Sequence, residues 1–301
     1  YLHNMRVFDC FMYYDEELIL DLRLNQLKNH VDYFVICESK FYHNGNKRDL
    51  KFNIKNYKRF EDKIIYLIQE NPPDNLHKIN NFDDETTKAH KIIHNAHVRE
   101  NYQRNILEKG IVKANDDDLI LVSDVDEIPN LNNLNFFNIK KNIVIFEQDI
   151  FYYKFNRFLN GFTWYGTKAC KKKILISPQW LRDIKNKNFK FWRLDCFFSK
   201  KKYINKIYVK NGGWHFSNIK KAEDIELKLN SYLHYTDFQN ENIDLKKISN
   251  SIKNNETLYN MFADKRSKKF SLNKRKLEIY DFHRLPNYLK SNKSKFKDWL
   301  D

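Results

Sequence analysis

The sequence predicts an α/β fold whose sheet is mostly parallel and turns mixed further along the chain, and three observations predict it. Short continuous apolar runs at Val7–Met12, Phe34–Cys37, Ile64–Ile68 and Leu119–Val122 read as strands buried on both faces. Helical patterns fall between them, and that alternation is how a parallel sheet is built. Two runs end in polar residues, Glu38-Ser39 and Ser123-Asp124, at the carboxyl ends of strands, where such sheets bind ligands.

Each element has its own signal. Asp15-Glu16-Glu17 supplies an N-cap and acidic first turn, and Leu20, Leu24, Leu27 and Val31 then recur at helical spacing through Val31. Pro72-Pro73 closes the unit ending in Ile64–Ile68, and Asp74–His90 reads as a long polar loop. His90–Lys109 is expected to be a helix stopped by Gly110 as C-cap. Past Pro129, the runs Ile143–Phe146, Phe151–Phe155, Phe191–Phe198 and Ile207–Val209 are expected as shorter, aromatic, partly antiparallel strands. Gly213–Ser217 follows a strand and precedes a helix from Ala222 to Leu233, and Lys/Asn-rich helices follow from Asn242, with Tyr288, Phe296 and Trp299 packing back on the body. There is no internal repeat and no clear linker.

Composition narrows the class. With 301 residues, 42% of them apolar and 16% aromatic, the chain is large enough to bury a core and is neither a disordered tail nor a peptide scaffold. Cys10, Cys37, Cys170 and Cys196 are too few for a disulfide framework and are expected as free thiols, Cys10 and Cys37 in apolar runs. No run approaches the ~18 apolar residues of a membrane span and no signal peptide opens the sequence, so the expectation is a cytoplasmic protein. Of the net charge of +15, +9 lies between Lys246 and Asp301, a basic tail suited to an anionic partner such as a membrane surface.

Asp124-Val125-Asp126 is the most informative triplet. In extended chain its two carboxylates project to one side, and like charges so placed call for a cation; oxygen ligands suit Mg2+ or Mn2+, which would in turn bind a diphosphate. His215 is a candidate third ligand. Trp214 offers a flat face to a sugar or base, with Gly212-Gly213 letting the backbone approach a ligand. Arg104 with Gln103 could pair with phosphate oxygens; a surface row with Arg99 is the alternative. Two other function classes remain open at this level. A haloacid-dehalogenase-like phosphatase would use Asp124 as nucleophile, although the sequence has Ile128 where those proteins place Thr or Val. A polyanion-binding module would rely on the Lys-rich tail, with no recognised nucleic-acid motif to support it.

Taken in order, Asp9-Cys10-Phe11, the Leu18–Leu27 helix, Val31–Ser39 with Phe41 and Gly45, Leu50-Lys51-Phe52, Ser123–Pro129 and Gly213–Ser217 resemble glycosyltransferase family 17. Its animal members are the β-1,4-mannosyl-glycoprotein 4-β-N-acetylglucosaminyltransferases. The resemblance implies a GT-A-type, Rossmann-like mixed sheet flanked by helices. It implies a catalytic domain over residues 5–240, with a nucleotide-sugar half to about 130 and an acceptor half from 131, and a basic helical extension over 241–301. It also implies inverting, metal-dependent transfer from a nucleotide sugar, with UDP-GlcNAc expected, to a glycan hydroxyl. By similarity Asp126 is the direct metal ligand, Asp124 reaches the ribose or the metal, and Glu38 meets the base and ribose. Glu223 matches a glutamate of the animal enzymes and is the candidate catalytic base, with Asp195 and Glu127 as alternatives. The animal enzymes carry a membrane anchor that this sequence does not show. The acceptor expected here is therefore a surface polysaccharide, a lipid-linked saccharide or a protein.

Overall fold

A computed structural model describes residues 5–134, 139, 142–190, 192–202, 205–231, 243–258 and 274–301. The first half contains β1 (Val7–Tyr13), α1 (Glu17–Leu27), β2 (Tyr33–Ser39), β3 (Ile64–Gln69), α2 (Glu85–Ile106) and β4 (Leu119–Asp124). Then come β5 (Glu127–Pro129), β6 (Ile143–Phe146), β7 (Gln148–Tyr152), β8 (Arg157–Trp164), β9 (Lys168–Lys171), α3 (Pro178–Asp183) and α4 (Leu194–Phe197). The rest comprises β10 (Lys206–Val209), β11 (Gly213–Ser217), α5 (Ala222–Ser231), α6 (Leu245–Lys253), β12 (Glu278–Ile279) and α7 (Asn287–Ser291).

Seven strands form one sheet in the order β10-β6-β9-β4-β1-β2-β3, with β4-β1-β2-β3 all parallel and β9 antiparallel to both its neighbours. The pleat sorts β1 to two sides. Val7, Phe11 and Tyr13 face α1 and the C-terminal residues Leu285, Leu289 and Phe296, while Phe8 and Cys10 face the end of α2 and α3. A second, five-stranded sheet runs β12-β8-β7-β11-β5, and Ile225, Leu229 and Ile248 of α5 and α6 cover one of its faces. The molecule is thus α/β with mixed sheets flanked by helices. Among the described residues no helix is long and apolar enough to cross a membrane. All four cysteines are buried and free.

Several local expectations change. The long helix starts earlier, at Glu85, where Asp84 accepts from the Thr87 amide at 2.7 Å, and α-helix ends at Ile106. Gly110 is not a C-cap but lies in a 3-10 turn, where a Cβ would stand 2.2 Å from Val35 Cγ1; the residue lets this turn lie against β2. Over the described residues 192–198 the expected Phe191–Phe198 strand is absent: residues 194–197 form a helical turn, and β8 and β9, which the sequence did not mark, supply strands instead. Gly213 (φ +133°) and Gly212 face neighbouring backbone and are not in the lining of the cleft described below. Cβ atoms there would meet Ile128 O at 2.1 Å and Val209 O at 2.5 Å, so these glycines permit close approach of backbone to backbone. Residues 232–233 of the expected helix, Phe191, and residues 241–242 and 259–273 of the basic tail lie outside the described residues.

Candidate active site

The cleft opens at the carboxyl ends of β1, β2 and β4 and has a cavity volume of about 220 Å³. Tyr13, Tyr14 and Glu16 line it from the β1–α1 turn, Tyr42, His43 and Arg48 from the loop after β2, and Asp124 and Asp126 from the end of β4. Trp164, His215, Lys228 and Gln103 close it from β8, β11, α5 and α2.

The acidic loop after β4 is held from beneath by a residue that sequence reasoning passed over. Arg23 of α1 is fully buried and pairs with the fully buried Asp9 of β1 at 2.6 and 2.8 Å. Its remaining N–H groups donate to the carbonyls of Asp124 (3.1 Å), Val125 (3.1 Å) and Glu127 (2.9 Å) and to the Ser123 hydroxyl. One guanidinium therefore fixes the backbone that presents both aspartates. The only sequence signal was a charge inside a Leu-rich helix that faces the core.

The two aspartates have different partners. Asp124 gives one carboxylate oxygen to Arg104 and the other to Arg182, each at 3.1 Å. Burial pushes its carboxyl up, but Arg182 and Arg104 outweigh that and hold it well below the ordinary range. Asp126 instead faces His215, with Oδ1 3.6 Å from Nε2, and Lys228, with Oδ2 4.0 Å from Nζ. Burial likewise opposes ionisation of both groups, yet each favours the charge on the other, so the Asp126 carboxyl is lowered and the His215 imidazole raised. Lys228 also lies 3.6 Å from Glu16, whose other oxygen accepts from the Tyr14 and Asp15 amides.

A clamp made by both aspartates, as the sequence led us to expect, is not what this geometry offers, because guanidinium groups occupy both oxygens of Asp124. Among the described residues no three His, Cys, Asp or Glu side chains converge as a metal cage. Asp126 and His215 are the carboxylate and imidazole that stand near enough to share one ion, Oδ1 3.6 Å from Nε2, with Lys228 beside them.

Of the other candidates, all but Gln103 lie outside the cleft lining. Arg104 is buried and engaged with Glu100, Gln179 and Asp124. Gln103 lines the cleft, donating to Cys37 O and facing His43 at 3.3 Å. Glu38 is fully buried and accepts from Arg48, the Lys51 and Phe52 amides and the Tyr66 hydroxyl, so it shapes the loop that carries Arg48. Trp214 points away from the cleft, its indole N–H on Arg284 O at 3.1 Å, because pleating gives neighbouring His215 the cleft face. The indole that lines the cleft is that of Trp164, whose centroid is 4.7 Å from that of His215 and whose N–H donates to Glu127 at 2.7 Å. Glu127 is itself buried and paired with Arg182. Glu223 is exposed in the first turn of α5, and Asp195 is exposed between Arg193 and Lys202, outside the cleft lining.

A family model described as glycosyltransferase family 17 matches residues 1–301. No curated protein matches the chain.

Proposed function

The chain belongs to glycosyltransferase family 17, and from that premise we propose that the cleft binds the diphosphate of a nucleotide sugar, UDP-GlcNAc first among donors, and passes the sugar with inversion to a glycan hydroxyl. The observation that carries the reading is the meeting of Asp126, His215 and Lys228 in one cleft at the carboxyl ends of parallel strands, where such sheets bind ligands. Asp126 and His215 would hold Mn2+ or Mg2+, which when bound supplies positive charge to a departing diphosphate. Lys228 adds a second cation beside them and takes the phosphate-facing role the sequence had suggested for Arg104.

Aromatic faces at Tyr14, Tyr42 and Trp164 suit the base and the sugar rings. Asp124, pinned by two guanidinium groups, offers its exposed edge to the donor as a fixed acceptor. The same pinning makes it a poor nucleophile and speaks against the phosphatase reading. The hydroxyl proton needs a carboxylate other than Asp126. Glu16 lines the cleft whereas Glu223 stands exposed, so we assign the base to Glu16. Acceptors in keeping with this reading are a surface polysaccharide, a lipid-linked saccharide or a glycoprotein.

Nucleotide sugars tested as a panel, with and without Mn2+, check the reading through release of nucleotide. UDP-GlcNAc should be hydrolysed slowly and only with metal; no turnover with any of them would refute the assignment. Glu16→Gln should lower turnover while sparing donor binding, and the control Glu223→Gln should leave it near wild type. The opposite ranking would return the base to Glu223.

A further inference from the structure

Between α3 and β10 the chain makes an excursion that the cleft does not use. Three large apolar side chains stand out from it within seven residues: Trp192 is 58% exposed, Leu194 72% and Phe198 90%. Leu194 and Phe198 are four apart across α4 and share its outer side, while Cys196 of the same turn is buried. The segment is also strongly basic, with seven Lys or Arg and one Asp over residues 185–202, a net +6. Lys185, Lys187, Lys190, Arg193, Lys200 and Lys201 are all exposed. Its root is fixed to the body: Trp180 of α3 donates to Lys200 O at 2.6 Å, Lys185 N donates to Lys201 O at 2.9 Å, and Lys201 pairs with Asp183.

We propose that this excursion is a membrane-docking tip that seats Trp192, Leu194 and Phe198 in the interfacial layer of an anionic bilayer, with the surrounding lysines on lipid phosphates and carboxylates. A protruding tryptophan and phenylalanine inside a basic collar match what an interface takes up, since apolar rings leave water while cations meet the negative surface potential. Charge complementarity selects this occupant. A second copy of the chain would bring one +6 surface against another, and a protruding tip gives a polymer backbone no groove to track. The site is distinct from the basic C-terminal tail and does not depend on the cleft's chemistry. Its root and the cleft nonetheless share α3, because Arg182 of that helix reaches Asp124.

The test is sedimentation with vesicles of phosphatidylcholine alone or with about one-third phosphatidylserine. Wild type should bind the anionic vesicles about ten-fold more strongly than the neutral ones. The triple variant Trp192→Ser, Leu194→Ser, Phe198→Ser should lose about ten-fold of that binding with an unchanged melting temperature. Brominated lipid should quench wild-type fluorescence more than that of Trp192→Phe. Equal binding by the triple variant would overturn the proposal, because attraction would then come from overall charge. So would loss of self-association, rather than of vesicle binding, in that variant.

Discussion

Replacing Arg23 with Met tests how the acidic loop is built. The substitution keeps the length of the side chain but removes six hydrogen bonds, two to Asp9, three to the loop carbonyls and one to Ser123. Asp9 has no exposed surface, so its carboxylate is left buried without a counter-charge, which costs about 3–5 kcal/mol. At about 2.1 cal/mol/K per residue over 301 residues, that lowers the melting temperature by about 5–8 °C. Adding Asp9→Leu removes the stranded charge, so the double variant should be more stable than the single one in urea denaturation while staying below wild type, the loop carbonyls still lacking a donor. Turnover should not recover, because the carbonyls of Asp124, Val125 and Glu127 still lack their donor. A single variant as stable as wild type, or a double variant with full turnover, would refute the claim that this guanidinium organises the loop.

Three further outcomes follow from the same geometry. Lys228→Ala should weaken binding of UDP with Mn2+ by about ten-fold, the worth of a charge-assisted hydrogen bond, and strengthen binding of Mn2+ alone, since a competing cation leaves Asp126; calorimetry reads both. Burial holds the His43 imidazole below its ordinary pKa of 6.5, so unfolding takes up a proton in acid and stability falls as pH drops through about 6.5. His43→Gln should flatten that part of the profile in denaturation at pH 5 to 8. Gly110→Ala should cost about 1–3 kcal/mol in urea denaturation, because its methyl would stand 2.2 Å from Val35 Cγ1.

How far the sequence could be read depended on whether the information was local. Continuous apolar runs marked β1, β2 and β4 because strands buried on both faces need no partner to be recognised, whereas the run that marked β3 proves to be a half-buried strand at the sheet's edge. Asp126 and His215 were legible as chemistry, and register brings them together: His215 pairs with Glu127 next to Asp126 across β11 and β5. What stayed hidden came from side chains converging over long separations. Arg23 looked like one charge in a helix, and Arg182, Trp164 and Lys228 carried no motif. The same long-range pairing decided Asp124, whose neighbours in sequence say nothing of Arg104 and Arg182. Phe191–Phe198 misled for the opposite reason: its aromatic residues suit a strand, but the chain turns Leu194 and Phe198 outward. The glycines before Trp214 were flagged correctly as close-approach positions, yet what they approach is backbone.

The most direct measurement of the central claim is calorimetric titration of UDP into wild type and Asp126→Asn, each with and without Mn2+. The account predicts binding to wild type that requires the metal, and loss of that binding in the variant at an unchanged melting temperature. Nucleotide binding that ignores Mn2+, or that survives Asp126→Asn undiminished, would contradict it.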